Sequence, residues 1–130
     1  MHRNDIIHRD IKPDNILLMD RHNLKICITD LGFACKTDDY KEINLKCGTP
    51  GYVAPEVLCG HPFIPKCDIF SIGSFFFNIL TGRNLYQGAN VRDVLHANQF
   101  FNPIPLVLSS LHGVSNECKD LLILMLQPNP

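Results

Sequence analysis

Hydrophobic and polar positions divide the chain into short blocks of changing period. Ile16-Leu17-Leu18-Met19 is an apolar run of strand length, and Leu24-Lys25-Ile26-Cys27-Ile28 alternates with period two, as a half-buried strand does. Asp20-Arg21-His22-Asn23 has turn composition, so the two runs predict a hairpin that pins the preceding residues to a core. Met1 to Ile7 is too short for an element, and Ile6-Ile7 reads as the apolar end of something that began earlier. From Phe33 to Lys46 the residues are polar and mixed with no period, which predicts a long mobile loop of the kind that tends to be functional. Cys67 to Thr81 is apolar on nearly every face and is followed by Gly82, which predicts a buried central helix with a glycine cap, too short to span a bilayer. Asn90 is placed to cap a short helix running through Asn98, with Val91, Val94 and Leu95 on one face. Phe100 to Gly113 carries prolines and no clear period. Ser115 caps a last helix, Asn116 to Leu126, whose stripe of Cys118, Leu121, Leu122 and Met125 is read as core packing. The pattern is mainly α with a small β-hairpin.

Composition narrows the classes of function. The length of 130 residues fits one modest domain, and 45% hydrophobic with 19% charged residues makes it globular. Twelve Lys and Arg against thirteen Asp and Glu give a formal charge of -1, which argues against nucleic acid or a membrane surface as partner. The six cysteines form no C-x-x-C pair, and the N-terminus leads into no apolar signal core. Free thiols in a reducing, cytoplasmic setting are the favoured reading, over a metal site built from Cys59, His61 and Cys67.

Chemistry concentrates in four stretches. In His8-Arg9-Asp10-Ile11-Lys12-Pro13-Asp14-Asn15, a carboxylate, an ammonium and a carboxamide stand at fixed offsets. Pro13 removes a donor and fixes φ, so a tight loop is expected there. Asp30-Leu31-Gly32 puts a carboxylate beside a glycine at a strand exit, a geometry suited to facing a metal. Cys47-Gly48-Thr49-Pro50-Gly51-Tyr52-Val53-Ala54-Pro55-Glu56 is forced along an irregular path by its glycines and prolines, with a helix starting at Pro55. The central apolar helix is broken by Asp68, Ser71 and Asn78, and a buried carboxylate such as Asp68 requires donors.

The first stretch resembles the catalytic loop of protein kinases, H-R-D-L-x-x-x-N, with Ile11 for Leu. Asp30-Leu31-Gly32 resembles the D-F-G element with Leu31 for Phe, and Ala54-Pro55-Glu56 matches A-P-E without change. Gly48 to Glu56 is similar to the peptide-docking segment of serine/threonine kinases, a segment that small-molecule phosphotransferases do not share. The Cys67 helix resembles the central helix of the kinase C-terminal lobe, with Phe70 where many members have Trp. The resemblance covers essentially residues 1–130 and implies a kinase-like C-lobe truncated at both ends, nearest the calcium/calmodulin-dependent group. It implies ATP and Mg2+ as cofactors and a protein as substrate. Asp10 would orient the substrate hydroxyl, Lys12 would neutralise the transferred phosphate, and Asn15 and Asp30 would hold the metal. Thr49, with Gly48 and Pro50, would contact the catalytic loop, and Asp68 would receive its backbone N–H groups. Lys12 and Thr49 favour serine or threonine over tyrosine acceptors.

The same resemblance defines what is lacking. No G-x-G-x-x-G and no V-A-I-K occurs, so the half that covers adenine is missing, and the chain alone is expected to have no appreciable kinase activity. An arginine that follows this region in the family, and pairs with the A-P-E glutamate, is not reached, which leaves Glu56 without it. Arg9 precedes Asp10, as in kinases switched by loop phosphorylation, but Leu45-Lys46-Cys47 stands where the acceptor usually lies. Arg9 is expected to pair with Asp38, Asp39 or Glu42, or else Thr37 or Tyr40 is the modified residue. Two readings follow: a part of an active kinase that needs its N-terminal lobe, or a non-catalytic binding module that engages a partner kinase or its substrates.

Overall fold

The computed structural model describes residues 1–20 and 22–127. In chain order it carries β1 (Ile6–Ile7), β2 (Ile16–Asp20), β3 (Lys25–Ile28), β4 (Cys35–Lys36), α1 (Pro55–Leu58), α2 (Pro65–Thr81), α3 (Val91–Phe100), α4 (Ile104–Ser110) and α5 (Asn116–Met125). The fold is mostly helical with two small antiparallel sheets, β1 with β4 and β2 with β3. Among the described residues no helix is long and apolar enough to cross a membrane.

The longest helix, α2, forms where the sequence predicts it, starting two residues earlier because Pro65 is pre-set for a first helical position. Gly82 ends it, its N–H donating to the Asn78 carbonyl at 2.8 Å. Helix α5 lies close against α2 at Gly73, where a Cβ would stand 3.0 Å from both Leu126 Cδ2 and Met125 Cβ. A Cβ there would be tighter than ordinary contact and would push Leu126 and Met125 back by a few tenths of an ångström. Phe70 and Phe77 of α2 share one core with Leu122 of α5, Leu126 just past its end, Ile7, Val57, Phe63 and Val107.

Several expectations are corrected. Helix α2 is not buried on every face, because Ile69 and Ile79 are exposed and nothing among the described residues covers them. Leu122 of α5 and Leu126 just past its end face inward, whereas Leu121 points to solvent. In α3 the inward residues are Val94, Ala97 and Asn98, whereas Val91 is exposed. The 100–113 stretch holds α4, started by Pro103-Ile104-Pro105 rather than by an apolar period. The first residues form a 3-10 turn, His2–Asn4, before β1.

The hairpin forms in the register Ile16↔Ile28, Leu17↔Cys27 and Leu18↔Ile26, with an irregularity before Asp20↔Lys25. It is not half-buried: Leu17, Leu18, Met19, Ile26 and Ile28 are all exposed, so it presents a bare apolar surface instead of pinning the loop to the core. Arg21 of the predicted turn and the terminal Pro128-Asn129-Pro130 lie outside the described residues. Residues 33–46 are tied down rather than loose. Ile7 pairs with Cys35, a 3-10 turn runs over Glu42–Asn44, and Ile43 is buried.

Candidate active site

Asp68, in the first turn of α2 and 1% exposed, is the base on which the His8–Asn15 loop is built. Its Oδ2 accepts the His8 N–H at 2.8 Å and its Oδ1 accepts the Arg9 N–H at 2.9 Å. The expected backbone donors are therefore in place. Sequence reasoning missed a third donor, His2 Nε2, at 2.7 Å from Asp68 Oδ2. Arg9 holds a left-handed φ of 70°, a conformation that costs a non-glycine residue about 1–2 kcal/mol. Donation to a buried carboxylate offsets that cost.

The His8 ring continues the loop inward. Its Nδ1 accepts the Asp10 N–H at 3.2 Å, so the ring proton resides on Nε2, which donates to the Thr29 carbonyl at 3.0 Å. Thr29 in turn donates its N–H to the Asn15 carbonyl at 2.9 Å. One imidazole thus joins the loop to the residue before Asp30.

Asp10 is 4% exposed, and its carboxylate is engaged on both oxygens. Thr49 Oγ1 donates to Oδ1 at 2.6 Å; Lys12 Nζ lies 2.9 Å from Oδ2, and Asn15 Nδ2 donates there at 3.2 Å. Lys12 also donates to Thr49 Oγ1 at 2.9 Å, and Asn15 Nδ2 to the Asp10 carbonyl at 2.8 Å. Burial works against the charged form most strongly, but hydrogen bonds from Thr49, Lys12 and Asn15, with the Lys12 charge, together outweigh it. The Asp10 carboxyl is held below its ordinary value. Lys12 is pushed above its own, chiefly by the hydrogen bond to Asp10, against its burial. A carboxylate has about four lone-pair sites, so with three donors in place about one remains for a further hydroxyl.

Thr49 reaches Asp10 because Gly48 lets two backbones meet. Its φ is 100°, and a Cβ there would fall 2.8 Å from the Arg9 carbonyl oxygen and 2.9 Å from Val53 Cγ2. Pro50 follows at the wall of a cavity beside Tyr52 and Val94. Asn98, whose polar side chain was not singled out from the sequence, accepts the Gly51 N–H and donates to the Val53 carbonyl, each at 2.9 Å. Its signal was a carboxamide at helical spacing from Val94 on the inward side of α3.

Of the acidic partners expected for Arg9, the structure places one against it. Its Nη2 lies 2.8 Å from Glu42 Oε2, and Nη1 and Nε donate to the carbonyls of Glu42 and Phe33. The guanidinium also sits 5.5 Å over the Phe63 ring, a partner no motif indicated. Glu42 is the acidic partner. Tyr40 is exposed.

Asp30, Asn15 and Glu56 complete the set. Asp30 is exposed, has a φ of 59°, and accepts the Gly32 N–H at 3.3 Å. Asn15 spends its amide nitrogen on Asp10, and its side-chain oxygen has no hydrogen-bond partner among the described residues. A carboxylate and a carboxamide oxygen suit a hard divalent cation that completes its shell with phosphate and water. Among the described residues no three His, Cys, Asp or Glu side chains gather as a metal cluster, and all six cysteines are free thiols. Glu56 is buried. Its Oε1 accepts from the Cys67 thiol at 3.5 Å, while Oε2 has no partner among the described residues. A cavity of about 350 Å³ lies there, lined by Glu56, Lys66, Phe70 and Met125 among others. Burial pushes the Cys67 thiol up to about 12.

Comparison with known proteins bears on the family. The family model described as protein kinase domain matches residues 1–130. The human SNF-related serine/threonine-protein kinase is 33% identical over 134 aligned positions, covering 99% of this chain and 16% of that protein. The human testis-specific serine/threonine-protein kinase 1 is 35% identical, covering 98% of this chain and 35% of its own length. The rat phosphorylase b kinase gamma catalytic chain, liver/testis isoform, is 36% identical, covering 100% of this chain and 33% of its own length. The chain thus spans about a third or less of these relatives. A match that runs its whole length, with serine/threonine kinases as relatives, answers the question of kinship: this chain belongs to the protein kinase domain family.

Proposed function

We propose that residues 1–130 are the C-terminal-lobe part of a serine/threonine protein kinase that transfers the γ-phosphoryl group of ATP to serine or threonine hydroxyls of proteins. The observation that carries this reading is the closed network of Asp10, Lys12, Asn15 and Thr49. It joins a hydroxyl-orienting carboxylate, a phosphate-neutralising ammonium and the peptide-docking segment within hydrogen-bond distance. Phosphoryl transfer depends on positioning and charge neutralisation more than on covalent help. Asp10, held ionised, would accept the hydrogen bond of the incoming hydroxyl and orient it in line, and it is a weak base at neutral pH. Asn15 and Asp30 would hold Mg2+, which supplies charge neutralisation on the nucleotide phosphates. Lys12 would lie against the transferred phosphate.

The bare hairpin supports a further body packed on this chain, because Leu17, Leu18, Met19 and Ile26 expose apolar area that an isolated fold rarely leaves. A nucleotide-covering lobe is the body the family supplies. The test is transfer from ATP to a serine/threonine peptide by the full-length protein and by residues 1–130 alone. Transfer is expected from the first, with loss on Asp10→Ala, and no appreciable rate from the second. An Asp10-dependent rate from the short chain refutes the need for the second body; no transfer by the full-length protein favours a non-catalytic binding module.

A further inference from the structure

The three residues that follow Thr49 and Pro50 are held by their backbone groups. The Gly51 N–H donates to Asn98 Oδ1 at 2.9 Å, and Asn98 Nδ2 donates to the Val53 carbonyl at 2.9 Å. From the opposite side Ser74 Oγ donates to the Gly51 carbonyl and Ser71 Oγ to the Tyr52 carbonyl, each at 2.7 Å. Asn98 is 1% exposed, so both ends of its carboxamide are committed out of reach of water. Val53 is also anchored by its buried side chain, whereas Gly51 has no side chain to pack and relies on these contacts. A cavity of about 360 Å³ opens between the segment and α3, with Pro50, Gly51 and Tyr52 on one wall and Val91 and Val94 on the other.

We infer that Asn98 is a positioning residue for the peptide substrate, setting Thr49 against Asp10 and Lys12 by fixing the 51–53 backbone from α3. Its functional consequence rests on the kinase reading; the tether itself does not. The path is short. The N–H groups of Tyr52 and Val53 donate back to the Thr49 carbonyl at 3.0 and 3.3 Å, so Gly51–Val53 and Thr49 form one turn. A shift of that turn moves Thr49 Oγ1, which stands 2.6 Å from Asp10 Oδ1 and 2.9 Å from Lys12 Nζ. A hydroxyl-bearing peptide laid along the segment would then meet Asp10 out of line, whereas Asn15 and Asp30, which would hold Mg2+, make no hydrogen bond to this turn among the described residues. The carboxamide is chemically required, because it accepts at one end and donates at the other. A carboxylate of the same size cannot donate to Val53.

Two variants of the full-length protein test this. Asn98→Leu removes both hydrogen bonds. Amide exchange should accelerate by about tenfold or more at Gly51 to Val53, while α2 and α5 keep their protection. Unchanged exchange at Gly51, or acceleration spread through both helices, overturns the inference. Asn98→Asp retains the acceptor and loses the donor. Its peptide KM should rise by about tenfold with the ATP KM within about twofold. That rise should shrink between about pH 8 and about pH 5.5, as the introduced carboxyl takes up a proton and can donate again. Equal changes in both KM values, or a peptide KM that ignores pH, overturn it. Absence of transfer by the unmodified protein would defeat the kinase reading instead, and exchange at Gly51 would still decide whether the tether exists.

Discussion

Replacing Asp68 by asparagine should release the His8–Asn15 loop while leaving the shape of the core unchanged. The carboxylate accepts three hydrogen bonds, from His8 N–H, Arg9 N–H and His2 Nε2, at 2.8, 2.9 and 2.7 Å. Asparagine offers one oxygen, so its amide group must face at least one of these donors in a site that is 1% exposed. Each hydrogen bond to a buried charged group is worth about 1.5–3 kcal/mol, and His2 can turn toward solvent because its side chain is 34% exposed. The net loss is therefore about 3 kcal/mol, carried mainly by the two backbone donors. The left-handed Arg9, φ 70°, adds a drive to relax once its N–H is unpaired. Amide exchange of the full-length protein reads this locally: protection at His8 and Arg9 should fall about a hundredfold, at about 1.4 kcal/mol per tenfold. On the proposed kinase reading, phosphoryl transfer should fall in parallel. Exchange at these two amides within about threefold of the unmodified protein would refute the view that Asp68 holds the loop.

Glu42→Gln keeps size and removes the charge facing Arg9, whose side chain is 3% exposed while that of Glu42 is 44% exposed. Solvent screening limits the loss to about 1 kcal/mol, seen as faster exchange over residues 39–45 with no change in α5. Gly48→Ala meets both a positive φ and a 2.8 Å overlap with the Arg9 carbonyl oxygen, so it should cost about 2 kcal/mol or more of stability by denaturant titration. The pH dependence of the Asp10–Lys12 pair follows from the signs of its two shifts. Asp10 lies below its ordinary 3.8, so its contribution is present above that value and is lost only as pH falls through the lower folded value. Lys12 lies above its ordinary 10.5, so its contribution is full below that value and is lost as pH rises through the folded one. Titration of both groups by NMR should show the pair intact between about pH 4 and about pH 10, and a midpoint inside that window for either group would contradict the network.

What could be read from the sequence follows a physical division. Asp10, Lys12 and Asn15 were legible because charge handling fixes residue types at fixed offsets, while the contacts of Thr49 and Asp68 with that loop were legible only through the family resemblance; the structure shows both contacts. The caps at Asn90 and Ser115 were legible because an N-cap is a local hydrogen bond, here to Asp93 N–H and Cys118 N–H. Partners contributed by distant backbone were not legible: the carbonyls of Phe33 and Glu42 that accept from Arg9 look like any others in the sequence. Nor could alternation in β3 reveal exposure, because a period of two describes one strand's faces and not what lies against them. Helix α4 escaped because two prolines near a helix start look like a break unless their first-turn placement is known.

The loop and the hairpin beside it are stabilised in opposite ways. His8, Arg9, Asp10 and Asn15 are each no more than 5% exposed, and polar partners hold them from α2, from the Glu42–Asn44 turn and from Thr49. Such a network has few alternative arrangements, since displacing one member strands a buried polar group elsewhere. Leu17, Leu18 and Ile26 of the hairpin make no comparable demand, because apolar area can be covered by any surface of matching shape. The Asp10 network is thus formed within residues 1–130, and on the proposed reading the bare hairpin is the surface that another body covers. A rate that depends on that body, with an Asp10 environment that does not, is the behaviour this division requires: the midpoint of Asp10 should move little when the short chain and the full-length protein are compared.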